Sequence, residues 1–112
     1  MTIRDLLAAV EAGKEPSTRE WEDALWVDLP SNLGRDLGRA FRGKLGAAVK
    51  VAQAFLPDYR WTVQGGGEKP RPGAVASLRL GDLRTSYRGE HQKPARALLI
   101  AILRALAEME EG

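Results

Sequence analysis

The last third of the chain, from Leu83 to Glu110, sets the strongest limit on what this sequence can fold into. Its pattern is typical of a short strand, a polar link and one strongly apolar helix. Pro94 suits the first helical position, where its fixed φ is favourable and its missing N–H costs nothing. Ile100 and Leu103 widen the apolar stripe, so we expect a helix buried on more than one side. The stripe itself follows helical spacing: Ala95, Leu98, Leu99, Ile102, Leu106 and Met109.

Two short helices are predicted at the N-terminus. Thr2 can cap the first, and Gly13 can end it. Ser17 and Glu20 have the spacing of a capping box for the second, which Pro30 ends. Because both are short, they need tertiary packing to persist, and we expect residues 1–30 to cover the main unit. Their apolar faces comprise Ile3, Leu6, Leu7, Val10, Trp21, Ala24, Leu25 and Leu29.

Residues 31–56 have a helical pattern interrupted by glycine. Each interior glycine costs about 1 kcal/mol relative to alanine, so a break is expected near Gly43 to Gly46. The sequence leaves open whether the helix is continuous. The apolar sector comprises Leu33, Leu37, Phe41, Leu45, Ala48, Ala52 and Phe55, and the opposite sector Arg35, Arg39, Arg42, Lys50 and Gln53.

Three strands are predicted between the helices. Apolar and polar residues alternate from Tyr59 to Gln64 and from Ala74 to Leu80. Residues 65–73 lack core-forming side chains and indicate a loop, and Gly81 with Asp82 suits a two-residue turn before the third strand, 83–88. The fold class is α+β: N-terminal helices, a three-stranded antiparallel sheet and a C-terminal helix packed on one sheet face. We expect one domain, 1–112, in which residues 31–112 form an α-β-β-β-α unit.

Composition bounds the function. The net charge is only +2, so binding to nucleic acid depends on where the charges lie and not on their number. Without cysteine the chain forms no disulfide and no Cys-based metal site, which is typical of cytoplasmic proteins. No apolar run reaches the length of a membrane span, and no signal peptide is evident. We expect a cytosolic protein.

No catalytic constellation is found. His91 lacks the second histidine, cysteine or spaced carboxylates of a metal or acid–base site, so we interpret it as a surface or capping residue. The glycines at 65–67 are not followed by the Gly-Lys-Ser/Thr of a phosphate loop. Ser77 and Ser86 have no base at a motif spacing. We therefore expect no enzyme activity, no cofactor and no metal.

Arginine is the one residue type whose placement suggests a function. Because side chains of a strand alternate between its two faces, the sheet face opposite the core should carry Arg60, Arg79, Arg84 and Arg88. A solvated face that keeps the protein soluble and a surface for phosphates or an acidic protein patch are both open. Trp61 is expected in the core, and Trp26 is a candidate partner hot spot. The remaining candidates are Arg35, Arg39 and Arg42 on a helix, and Lys69 and Arg71 in the loop.

Three passages resemble a family of small phage and prophage proteins, the phage ABA sandwich domain. They are the Ala-rich helix end and aromatic strand at 47–63, the aromatic-Xaa-Gly-Glu step at 87–90, and the Pro-Ala-Xaa-Ala-Leu start of the last helix at 94–98. The charged helix at 17–29 is similar in kind. The basic, glycine-rich stretch 33–46 and the loop 65–73 depart from the pattern.

The resemblance implies a phage or mobile-element origin and carries no catalytic motif. We therefore expect an accessory protein that binds a host protein or complex stoichiometrically, such as an anti-CRISPR-like inhibitor of a host defence complex. The alternative is a nucleic-acid-binding module that uses the arginine-rich sheet face. A homodimer, through the outer sheet face or the edge strand 59–64, is possible on the sequence alone.

Overall fold

The computed structural model describes residues 2–25, 31–65, 74–80, 86–91 and 93–111. These residues form five helices and three strands. In chain order they are α1 (Ile3–Glu11), α2 (Thr18–Leu25), α3 (Ser31–Phe41), α4 (Leu45–Phe55), β1 (Tyr59–Gly65), β2 (Ala74–Leu80), β3 (Ser86–His91) and α5 (Pro94–Glu111).

The predicted α+β fold is confirmed. The sheet is antiparallel with strand order β1-β2-β3, and α5 packs on one of its faces. Helices α1, α3 and α4 also pack against α5, so the last helix is the middle layer between the sheet and the other helices. As expected, α5 is buried on more than one side; its buried residues are Ala95, Ala97, Leu98, Leu99, Ile100, Ala101, Ile102, Leu103, Ala105 and Ala107.

The N-terminal helices begin with the predicted caps. The Thr2 hydroxyl accepts from the Asp5 N–H, and the Thr2 N–H donates to the Asp5 carboxylate at 2.9 Å, which lowers the pKa of Asp5. Ser17 and Glu20 make the same reciprocal pair at 3.2 and 3.0 Å. These bonds satisfy N–H groups that have no partner within the helix. The prediction that the second helix reaches Pro30 concerns residues outside those described.

Helix α3 does not continue into α4. It ends in a Schellman motif, in which Gly43 has a φ of +110° and donates its N–H to the Ala40 carbonyl, while Lys44 donates to Arg39. A left-handed φ is open to glycine at little cost, so the predicted break falls at Gly43. The question that the sequence left open is therefore answered: residues 31–56 form two helices.

The sheet register defines two faces. Tyr59, Trp61 and Val63 of β1 share the inner face, toward α5, with Ala76 and Leu78 of β2. The predicted turn at Gly81 and Asp82 lies outside the described residues. The described pairing of β2 with β3 ends at Arg79, which faces Ser86, and β3 covers residues 86–91 where the sequence predicted a strand over 83–88.

Three residues expected in the core are exposed. Trp61 lies on the inner face yet is 37% exposed, because α5 lies mainly over β2 and β3 and leaves the edge strand β1 partly uncovered. Leu45 is exposed at the first residue of α4, and Met109 is 55% exposed near the end of α5. Periodicity gives the face of a residue correctly here, but the neighbouring element does not extend over all of that face.

Strand β3 and helix α5 approach each other closely at Gly89. This glycine is buried on the inner face, opposite Ala76. A Cβ added there would lie 2.7 Å from the backbone nitrogen of Ala101 and closer still to the carbonyl oxygen of Ala97. Small residues on both elements therefore allow backbone-to-backbone packing. This contact fixes how α5 lies on the sheet and which strand it leaves uncovered.

Candidate functional site

The outer face of the sheet is a polar surface, on which Val75 is the one apolar residue of the described strands. Among the described elements, only α5 packs extensively on the strands, and it does so from the inner face. The register gives three cross-strand rows on the outer face: Arg60–Arg79–Ser86, Thr62–Ser77–Arg88 and Gln64–Val75–Glu90. Arg60, Arg79 and Arg88 are all exposed, so three of the four arginines predicted for this face lie on it.

Arg60 and Arg79 are direct cross-strand partners. Side chains so placed have their Cβ atoms about 4.5–5.5 Å apart, and like charges in this position destabilise a sheet. Among the described residues neither guanidinium has an acidic partner. We call Arg60 and Arg79 the arginine pair. It is a local cost to stability that no acidic group of the described residues offsets.

Two other predicted cations are already paired. Arg88 contacts Glu90 at 2.9 Å on the outer face, two residues along the same strand. Arg42 binds Glu15 through two hydrogen bonds of 3.0 and 3.1 Å, which raise the pKa of Arg42. Their charge is thus largely compensated locally. The signal for Arg88 was readable, because residues i and i+2 of a strand share a face; the Arg42 partner lies 27 residues away.

Arg35 and Arg39 lie on the exposed face of α3. Helix α3 packs against α4 and α5, and α5 separates these helices from the sheet. The structure therefore does not bring the helical cations together with the arginine pair. The remaining predicted binding residues, Trp26, Lys69, Arg71 and Arg84, lie outside the described part of the chain.

His91 belongs to a contact between β3, α5 and the end of α3. Its Nδ1 accepts the Lys93 N–H at 3.1 Å, and its Nε2 lies 3.4 Å from Arg96 Nη1. Arg96 donates from Nε and Nη2 to the Phe41 carbonyl, at 3.0 and 2.7 Å, and stacks 4.0 Å above the Phe41 ring. Burial, and then the positive charges of Arg96 and Lys93, lower the pKa of His91. His91 thus accepts a backbone N–H directly before α5.

The lowered pKa of His91 predicts a stability change below neutral pH. The unfolded chain binds a proton near pH 6.5, but the folded chain binds it only at a lower pH. The free energy of unfolding should therefore be constant above about pH 7 and fall as the pH drops through about 6.5. Urea titrations from pH 7.5 to 5 measure this. His91 is the only histidine, so H91Q should remove the slope; an unchanged slope in H91Q would contradict the assignment.

A charged cleft that sequence reasoning missed lies between α1, β3 and α5. Its volume is about 430 Å³, and its charged walls already contact one another: Arg104 pairs with Glu11 at 3.8 Å and donates to the Arg88 carbonyl. Burial, with the charge of Glu108 next, raises the pKa of Tyr87 in the wall. The sequence did contain a signal for this cleft, because charged residues 4 and 11 share one face of α1 and charged residues 104 and 108 share one face of α5. The full lining is Arg4, Leu7, Glu11, Ser86, Tyr87, Arg88, Arg104 and Glu108.

Within the described ranges, no group of three or more His, Cys, Asp or Glu side chains is placed to hold a metal ion. No helix in that part of the chain is both long enough and apolar enough to cross a membrane. Comparison with protein-family models, with curated proteins and with solved structures finds no match to this chain.

Proposed function

We propose that this protein acts stoichiometrically, by binding an acidic surface of a host protein with the outer face of its sheet. The observation that carries the proposal is the arginine pair. Two directly opposed, uncompensated cations cost the free protein stability, and an anionic partner converts that cost into binding energy. Of the described helices only α5 packs extensively on the strands, from the inner face, and the arginine pair and Arg88 are exposed.

The composition of the face favours a protein over nucleic acid. No outer-face position of the described strands carries an aromatic side chain on which a base could stack. One of the three arginines is paired with Glu90, and the net charge of the chain is only +2. Proteins that coat phosphate backbones make many cationic contacts and show correspondingly steep salt dependence. Two unpaired arginines suit a small acidic patch.

The resemblance to phage accessory proteins gives this binding protein a biological setting. In that setting it works in the host cytosol as an anti-CRISPR-like inhibitor, occupying a site on a defence complex without chemistry of its own. The alternative function, nucleic-acid binding by the same arginine face, differs in its partner and in its response to salt. Both functions use the same residues, so one set of variants tests them together.

The test is an affinity capture from bacterial lysate, with and without nuclease, using the wild-type chain and the variant R60E/R79E. We expect a protein retained after nuclease treatment by the wild type, and its recovery reduced at least about tenfold by R60E/R79E, because opposing like charges across an interface costs several kcal/mol. The matched control R35E/R39E makes the same charge change on α3 and should retain the partner. Material lost on nuclease treatment would support the nucleic-acid alternative.

Equal capture by wild type and R60E/R79E would contradict the assignment of this face. A second readout needs no partner. If the arginine pair is a cost to the free protein, R79Q should raise the free energy of unfolding by about 0.5 kcal/mol in urea titrations. A lower stability of R79Q would show that the fold, and not a partner, uses this arginine.

A further inference from the structure

The two edges of the sheet differ in how far their backbone groups are satisfied. At the β3 edge, Arg104 donates to the Arg88 carbonyl, and α1 flanks the same edge across the charged cleft. At the β1 edge, the Tyr59 N–H donates to the Leu56 carbonyl, and no other backbone hydrogen bond of the described residues reaches β1 from outside the sheet. A free edge presents unpaired N–H and C=O groups, which form a template for another strand. β1 carries no proline, lysine or bulge that would block such pairing.

The Arg88 contact also shows which backbone groups of β1 point outward. The Arg88 carbonyl points away from β2, so Arg88 and Ser77 are a non-hydrogen-bonded pair. Because hydrogen-bonded and non-hydrogen-bonded pairs alternate along an antiparallel ladder, the next pair, Leu78–Tyr87, is hydrogen-bonded. The backbone N–H and C=O of Ser77 therefore point toward β1. Trp61 and Val63 of β1 then direct their N–H and C=O groups to the free side. Tyr59 has the same orientation as Trp61 and Val63, because its N–H donates to the Leu56 carbonyl at 3.1 Å and not to β2.

We propose that two copies of this chain pair antiparallel through β1, with Thr62 facing Thr62 of the second copy, to form one six-stranded sheet. Thr62 is the middle residue of the seven-residue strand, so this register uses its full length. Trp61 then faces Val63 of the other copy, and both belong to the outward-pointing set that such a pair needs. Thr62 faces its own copy as a non-hydrogen-bonded pair, which completes the alternation.

The side chains of β1 are self-complementary in this register. Trp61 with Val63 is an aromatic–β-branched pair, and Thr62 with Thr62 is a hydroxyl pair; both kinds stabilise antiparallel sheets. Arg60 faces Gln64, so no like charges are directly opposed. Pairing also covers the exposed Trp61, which α5 leaves uncovered. The second copy therefore matches the edge at positions 60 to 64.

The first test is the mass of the full chain in solution by light scattering and sedimentation. We expect twice 12.3 kDa, with dissociation on dilution. T62K places a lysine opposite itself and should give the 12.3 kDa species, whereas S77K adds the same charge to the same face of the central strand and should remain dimeric. Circular dichroism checks that both variants are folded. A monomeric wild type up to millimolar concentration, or a dimer unaffected by T62K, would overturn the proposal.

The second test fixes the register. The chain has no cysteine, so a single introduced thiol reports only its own neighbour. Non-hydrogen-bonded partners have Cα atoms about 4.5 Å apart, within disulfide range. T62C should cross-link to a covalent dimer in oxidised glutathione much faster than S77C or R60C, because Arg60 faces Gln64. Equal rates for the three variants would contradict the Thr62-centred register.

Discussion

Gly89→Ala is expected to destabilise the protein more than the same change at Gly13, Gly38, Gly43 or Gly46. The new Cβ would overlap the Ala97 carbonyl oxygen and lie 2.7 Å from the Ala101 nitrogen, and both atoms belong to the backbone of α5. A helix backbone cannot rotate out of the way as a side chain can, so strand and helix must separate. Because overpacking costs about 1–3 kcal/mol even where side chains adjust, we expect a loss of at least about 3 kcal/mol.

Urea unfolding of G89A and G46A measures this effect against a matched control. Gly46 lies exposed in α4, and a Cβ there would meet nothing within 4 Å. G46A should therefore stabilise the protein, by about 0.5 kcal/mol, because alanine favours the helix and limits the unfolded chain. A small effect of G89A would mean that α5 does not pack on β3 at this distance.

The contact between Gly89 and α5 shows why the sequence predicted helices and strands better than it predicted which of their residues are buried. The caps at Thr2 and Ser17, the start of α5 at Pro94 and the break at Gly43 depend on neighbouring residues, so the sequence was sufficient for them. Trp61 depends on where α5 lies across the sheet. That position follows from the close approach at Gly89, a pairing of distant residues that no periodicity reports.

The outer sheet face, too, was predictable from the sequence only in part. Alternation along strands was enough to put Arg60 and Arg79 on one face. Their exact opposition depends on the β1–β2 register, which hydrophobic alternation alone does not specify. The pairing of Arg42 with Glu15 joins a helix end to a distant connection. From sequence alone the pairing of Arg88 with Glu90 was readable, but that of Arg42 with Glu15 was not, so the arginine pair could not be singled out.

Arg96→Ala is also expected to lower the stability of the protein strongly, though less than Gly89→Ala. The Phe41 carbonyl ends α3 and has no partner within its own helix, so the two hydrogen bonds from Arg96 satisfy it. The guanidinium also stacks on the Phe41 ring and places a positive charge at the negative end of the helix. Hydrogen bonds to charged groups contribute about 1.5–3 kcal/mol, so we expect R96A to lower the free energy of unfolding by about 2–3 kcal/mol.

Two further variants separate the geometry of Arg96 from its charge. R96K keeps the cation but loses the planar fork that reaches the carbonyl with two donors, so it should recover less than half of the loss. R39A removes an arginine from the exposed face of α3 and should change the free energy of unfolding by less than about 0.5 kcal/mol. Full recovery in R96K would mean that charge at the helix end, and not the paired hydrogen bonds, joins α3 to α5. Equal losses in R96A and R39A would contradict both roles of Arg96.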